Sequence, residues 1–348
     1  MILNYTLIII LLWIIFTIIG KNSLTIRKIV SIILCLIFIL QSGFRDYLHM
    51  MNDTIVYLDS FEAVKKESLS DIISSFTLSY DNYAIRDPGY TVFTKLFQLL
   101  SDNFRVYLIA IACIIAIPLC RILYKYIPTV NGLFMAAIIY QGIFAGFFNT
   151  GIRQTIALGI CLFSIIYYER RKPLPHYLLI FIAYTIHSSA LLFAPLYLIR
   201  KIDPRKLLYC AICITPIAML FAKRIIAFLG AGTIFEMYAV NSTNNLGTPV
   251  FTTMVAFVAV AVAIMYKKLK LYFKDSTFFI QCIAIALMLT PTSWVDSNFL
   301  RLTYYYLIFL LPLYPMLIEA VFVNKTTLKY SVYLISTLGL IILMSQYS

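Results

Sequence analysis

Long apolar runs separated by short basic loops make up most of this chain. Runs of bilayer-crossing length, which takes about 20 helical residues, lie near 3–20, 26–41, 104–123, 130–148, 151–168, 207–229, 249–266, 276–292, 299–322 and 328–346. A further apolar stretch, 176–199, is interrupted in its middle by His187, Ser188 and Ser189. Backbone polar groups in hydrocarbon must be satisfied within their own segment, so the crossings are expected to be helical. The pattern predicts an all-α polytopic membrane protein, a single integral membrane domain over 1–348 with about eleven transmembrane or re-entrant helices. The first run lacks the basic leader and small-residue cleavage site of a removed signal and is expected to be the first span.

The exception is 42–104, which holds nine of the fifteen acidic residues. It is too poor in aliphatic residues for a domain of its own. Its pieces "NDTIVYLDSFEAVKK" and "LSDIISSF" read as short amphipathic helices resting on the membrane surface. "RDPGY" (86–90) is a turn that opens another helix, "TVFTKLFQLL".

Basic residues set the orientation, because loops rich in Lys and Arg stay cytoplasmic. Lys21, Arg27 and Lys28, then Arg121 and Lys125, then Arg170, Arg171 and Lys172, then "KKLKLYFK" (267–274), then Lys325 and Lys329 all fall on that side. Both termini and 42–104 are then outside. "RKIDPRK" (200–206) also reads as cytoplasmic, which a straight crossing over 176–199 does not allow. The simplest resolution is a re-entrant half-helix pair at 176–199, broken near His187 and lining protein or a water-filled cavity. The alternative is a straight span, an outside basic loop and an extra half-crossing after Arg224.

Composition agrees with this class: 62% hydrophobic residues, 12% charged residues and a mean hydropathy of +0.90 leave too little polar surface for a soluble domain. The net charge of +13 sits in short loops and follows the orientation rule, so no nucleic-acid partner is expected; the lipid bilayer is. The seven cysteines lie in or beside apolar runs and read as small hydrophobes, the Cys210/Cys213 pair included. Three scattered histidines and the lack of an Asp-x-Asp pair predict no metal site. No Walker loop or nucleophile elbow is present, and no cofactor is expected.

Polar groups at membrane depth are expensive, which marks each as a functional candidate. Arg45, Asp53, Arg86, Arg153, His187, Asp296 and Arg301 all map to outside segments or outside ends of spans. Arg153 and Arg301 stand where basic residues are not expected; the bland reading of either is an arginine snorkelling to headgroups. In "FNTGIRQTIALGICLFSIIYY" (147–167) a helix opens at Arg153 and Gln154, so backbone N–H groups and a planar guanidinium could hold a diphosphate together. Gln154 is either a second donor to it or a helix-packing residue. His187 could take a proton from a hydroxyl or simply hydrogen-bond inside the bundle, and Asp53 and Asp46 are the other candidate bases. His49 and His176 read as surface or interface residues. "LTYYYL" beside Arg301 is dense enough in aromatic faces to stack on sugar rings.

These residues, in this order, resemble a family. "GFRDYLHMMNDTIVYLDSF" is similar to the early Arg, Asp, x-x-x-Tyr pattern of EpsG-like proteins and Wzy-type O-antigen polymerases, with Arg45, Asp53 and Tyr57 on the matching positions; Asn52 stands where the family usually has glycine. "DPGYTVFTKLFQLL", with Tyr90, resembles the segment that follows. "NTGIRQTIAL" resembles the central Arg-Gln motif, "HSSALLFAPLYLI" the histidine motif, and "NFLRLTYYY", with Arg301 and Tyr305, the late Arg-x-x-x-Tyr. The matches span roughly 41–306. The resemblance implies a glycosyltransferase-type polymerase of the bacterial inner membrane that acts at the periplasmic face, joining undecaprenyl-diphosphate-linked oligosaccharide repeat units without a metal. A chain-length regulator is the candidate protein partner. Under it, His187, Asp53 and Arg153 are the expected catalytic residues. Arg45, Tyr57, Arg86, Tyr90, Gln154, Asp296, Arg301 and Tyr305 are the expected substrate-binding residues. The rival readings are a flippase of the same lipid-linked saccharide and an O-antigen ligase.

Overall fold

The computed structural model describes residues 2–20, 22–47, 54–74, 87–229 and 247–346. Among them the chain is all-α, without strands, and divides into two compact units, 1–194 with 334–348 and 195–333. Among the described residues, six helices are long and apolar enough to cross a membrane. A seventh candidate is the pair Leu300–Leu307 and Leu310–Val321, bent by 54°. The chain is therefore a polytopic membrane protein.

The run 130–148, expected as one span, is two helices, Val130–Ile143 and Ala145–Thr150. The stretch 176–199, expected to break near His187, contains a helix ending at Ile186, a tight turn over Ser188–Phe193 and a last short helix, Leu196–Ile199.

In the first unit α1 (Ile2–Ile19), α2 (Leu24–Gly43) and three short helices, α3 (Thr54–Lys65), α4 (Leu69–Ser74) and α5 (Pro88–Gln98), lead into the long α6 (Phe104–Tyr126). There follow α7 (Val130–Ile143), α8 (Ala145–Thr150), α9 (Ile152–Glu169) and α10 (Pro173–Ile186). α6 packs closely against both α2 and α9. Glycines permit both approaches. A Cβ on Gly43 would meet Ile109 Cγ1 at 2.7 Å, and one on Gly159 would meet the Ile114 carbonyl oxygen at 2.6 Å.

Polar side chains fix the register of these helices. Gln41 and Gln141, both buried, exchange amide hydrogen bonds at 2.9 and 2.7 Å across α2 and α7. Arg27 donates to the carbonyls of Tyr124 and Ile127 just where α6 ends, satisfying acceptors the helix leaves open. Glu169 closes the same end of α9, accepting from Arg121 at 2.7 Å, Lys125 at 2.8 Å and the Tyr126 hydroxyl at 2.7 Å.

The short helices do not merely rest on a surface. Phe61 of α3 and Tyr90 of α5 are buried in a core shared with Phe104, Tyr107, Ile152 and Ile186, at the ends of α6, α9 and α10. Lys95 and Gln98 of α5 also donate to carbonyls at the end of α3, including that of Phe61 at 2.7 Å. Large aromatic faces on both helices are what convert surface helices into packed ones.

In the second unit α11 (Leu196–Ile199) and α12 (Pro204–Leu229) precede α13 (Gly247–Tyr272), α14 (Ser276–Leu289) and the bent pair, α15 (Leu300–Leu307) and α16 (Leu310–Val321). α14 is its buried centre, packing on α12, α13, α15 and α16. Gln281 on it donates to the carbonyls of Ile199 and Ile202. The last helix, α17 (Thr326–Gln346), begins in this unit, where Lys329 pairs with Glu319 at 2.9 Å; from Leu334 onward it belongs to the first.

Candidate functional site

Asp87 organises the polar cluster of the first unit. It precedes Pro88, which sits in the first turn of α5, where a missing N–H costs nothing. An aspartate there ordinarily caps the helix with its own carboxylate. Here the backbone is left-handed, φ 80° and ψ 63°, and the side chain makes no cap bond. The carboxylate is turned instead toward the ends of two other helices.

Asp87 Oδ2 accepts from Arg153 Nη1 at 3.0 Å and from His187 Nδ1 at 3.2 Å. Oδ1 accepts from the Ser188 backbone N–H at 3.3 Å. The carboxylate is only 7% exposed, whereas Arg153 and His187 are 31% and 28% exposed. The acid thus lies behind, and the guanidinium and imidazole are the groups a ligand can reach.

Each partner is delivered by a helix end. Arg153 is the second residue of α9, after Gly151. His187 follows α10 directly in extended conformation, its N–H donating to the Ala183 carbonyl at 2.9 Å and its carbonyl accepting from Ala190. Because a carboxylate only accepts, Nδ1 of His187 carries the proton, and the neutral ring then keeps its lone pair on Nε2. That is the orientation of a base.

Aromatic rings complete the cluster. The Arg153 guanidinium lies over the Tyr57 ring, 5.9 Å from its centre, and Tyr57 meets Tyr90 nearly edge-on at 5.9 Å. Tyr90 is buried, and burial raises the pKa of its hydroxyl to about 12, so it stays protonated. Thr94, one turn along α5, bridges the Tyr90 carbonyl and the Tyr107 hydroxyl at 2.9 Å each.

The structure therefore brings together Arg153, His187, Tyr57 and Tyr90 of the residues singled out in the sequence. Gln154 is buried in the first turn of α9. Arg45 is wholly buried just beyond α2, donating through Nη1 to the Ser42 carbonyl at 2.8 Å and hydroxyl at 3.2 Å. Its Nε and Nη2 have no partner among the described residues, and burial pulls its pKa down to about 10. Asp53, Arg86 and His49 lie outside the described residues. Asp296, Arg301 and Tyr305 belong to the second unit, where Asp296 accepts from the Asn298 N–H at 2.7 Å and Tyr305 is wholly buried. His176 is not a surface or interface residue but fully buried, its Nδ1 3.2 Å from the Ser164 carbonyl oxygen, because it lies on the face of α10 that packs against α9. Among the described residues no three His, Cys, Asp or Glu side chains gather as metal ligands would.

Asp87 itself is the residue that sequence reasoning passed over. An aspartate before Pro-Gly reads as turn chemistry, and only the left-handed backbone reveals that its carboxylate is free of the cap. The one signal available was its place in the apolar-flanked segment that also supplied Tyr90.

Residues 28–348 match the EpsG family. The chain belongs to that family. No curated protein and no solved structure matches it. EpsG membership across nearly the whole chain carries a polysaccharide-polymerase type of function, and the apolar helices place that function in a membrane.

Proposed function

We propose that this EpsG protein is a polymerase of polyprenyl-diphosphate-linked saccharide repeat units, O-antigen units among them, acting at the periplasmic face of the bacterial inner membrane. The observation that carries the reading is the buried carboxylate of Asp87, which holds a guanidinium and an imidazole side by side at half-exposed helix ends. An arginine fork suits the oxygens of a diphosphate, and the start of α9 adds N–H groups and the positive end of the helix dipole. An imidazole whose Nδ1 proton is held by a carboxylate suits the removal of a proton from a sugar hydroxyl.

In this mechanism the growing chain on undecaprenyl diphosphate is the donor, and a hydroxyl at the non-reducing end of a new lipid-linked unit is the acceptor. His187 Nε2 takes the hydroxyl proton as the oxygen attacks the anomeric carbon. The bond from that carbon to the diphosphate oxygen breaks, and undecaprenyl diphosphate leaves with the electron pair. Arg153 neutralises the charge that develops on it, typically the largest catalytic contribution, and losing one such contact costs about 10² to 10³ in rate. The imidazolium, steadied by Asp87, then returns its proton to the leaving diphosphate or to water. Tyr57 and Tyr90 offer ring faces and edges beside the reacting sugar.

The test is a strain lacking this chain, complemented with variants and examined by polysaccharide ladder gels. Arg153→Ala at normal protein level is expected to leave single-unit product, and a normal ladder would overturn the assignment. Loss of all surface saccharide from the deletion strain would favour a flippase, and accumulation of long lipid-linked polymer a ligase.

A further inference from the structure

We propose that Gly89 is a positioning residue: its missing side chain lets the first turn of α5 lie directly on the last turn of α10, and this contact sets the Asp87–His187 hydrogen bond. The inference deepens the function proposed above and rests on it for its effect on turnover, though not for its structural part.

The geometry is close and made against backbone. A Cβ on Gly89 would meet the Thr185 carbonyl carbon at 2.6 Å and the Thr185 Cβ at 2.7 Å, with Thr185 Oγ1 nearer still. Turning the threonine side chain relieves only part of this, and its hydroxyl is already committed to the Ile182 carbonyl at 2.7 Å. Gly89 lies two residues after Asp87, and Thr185 two residues before His187. The point of closest approach between the two helices is therefore also the point from which both polar side chains are carried.

Asp87 depends on that approach. It is left-handed, makes no cap bond to its own helix, and takes its direction from partners on α9, α10 and the turn after α10. A methyl group at 89 needs about 3.4 Å to an ordinary neighbour where 2.6 Å exists, so α5 must retreat from α10 by on the order of 1 Å. The His187–Asp87 bond, already 3.2 Å long, then exceeds hydrogen-bond range. A misplacement of about 1 Å in a catalytic constellation costs about 10²-fold in rate.

Two measurements on the purified full chain, reconstituted in lipid, test this. The first is nitrogen NMR of histidine-labelled protein, in which only His49, His176 and His187 contribute and His187 is assigned from the difference with His187→Gln. The wild type is expected to hold His187 as the Nδ1–H tautomer, and Gly89→Ala to lose that preference. The second is turnover with lipid-linked repeat units, expected to fall about 10²-fold in kcat with donor KM nearly unchanged. An unchanged His187 tautomer in Gly89→Ala overturns the proposal, whatever the turnover. A lost tautomer with normal turnover upholds the positioning contact and refutes the catalytic role of the pair. Should Gly89→Ala fail to fold, Thr185→Ala serves: it trims the side chain and leaves the backbone contact, so retention of the Nδ1–H tautomer supports the proposal and its loss overturns it.

Discussion

Replacing Asp87 by asparagine removes one charge and almost no volume. Asparagine also adopts left-handed backbone readily, so the turn at φ 80° survives. Asp87→Ala would add backbone strain to the loss of the carboxylate and is the poorer variant. Three contacts are affected: Arg153 at 3.0 Å, His187 at 3.2 Å and the Ser188 N–H at 3.3 Å. Hydrogen bonds to a charged group are worth about 1.5–3 kcal/mol each, but Arg153 and His187 are 31% and 28% exposed. Solvent screening brings such pairs toward about 0–1 kcal/mol. The expected loss of stability is about 1–3 kcal/mol in all. The loss of activity is larger, because the amide has one acceptor oxygen for three donors and no charge to stabilise an imidazolium. Removing the carboxylate that orients a catalytic histidine costs up to about 10⁴-fold where the same arrangement operates in serine proteases. The assay is turnover of lipid-linked repeat units in proteoliposomes, with thermal melting of the same preparation. A folded Asp87→Asn protein turning over at the wild-type rate would refute the reasoning.

His187→Gln is expected to abolish polymerisation while leaving donor binding intact, read as an unchanged dissociation constant for lipid diphosphate. Gly159→Ala forces α9 away from Ile114, 2.6 Å from where the new methyl would sit, and is expected to cost about 1–3 kcal/mol of stability, read by thermal melting. Gln41→Leu alone orphans the Gln141 amide and should cost about 1–3 kcal/mol, whereas Gln41→Leu with Gln141→Leu should recover most of it; a double variant no better than the single would disprove the pairing. Glu169→Gln weakens the contacts to Arg121, Lys125 and Tyr126 and is expected to cost about 1–2 kcal/mol after discounting for the exposure of its basic partners.

The helical class was legible because bilayer thickness and backbone satisfaction leave few options to chains of such apolar runs. Breaks inside those runs were less so. The bend between Leu307 and Leu310 falls inside the run 299–322, which was expected as one span; its local sign is Pro312, which removes the helix bond to the Ile308 carbonyl. Arg153 stood out as a polar group at the mouth of an apolar segment and His187 as one that interrupts the middle of another. Their meeting was not legible, since it runs through a carboxylate from a third segment and depends on one left-handed residue. The same limit applies to His176: an imidazole near a predicted loop reads as interfacial until the packing of α10 on α9 shows it buried. Arg45, expected as a substrate-binding residue of the outside segment, is wholly buried, a placement that periodicity cannot foresee two residues past the end of α2.

The central claim is that the Asp87-held pair of Arg153 and His187 performs glycosyl transfer with a diphosphate leaving group. The most direct measurement reconstitutes the purified chain in vesicles with lipid-linked repeat units and counts released undecaprenyl diphosphate against new glycosidic linkages. The account predicts one diphosphate released per linkage formed, with both lost together in His187→Gln. Movement of the saccharide across the bilayer with no diphosphate released and no linkage made would contradict it.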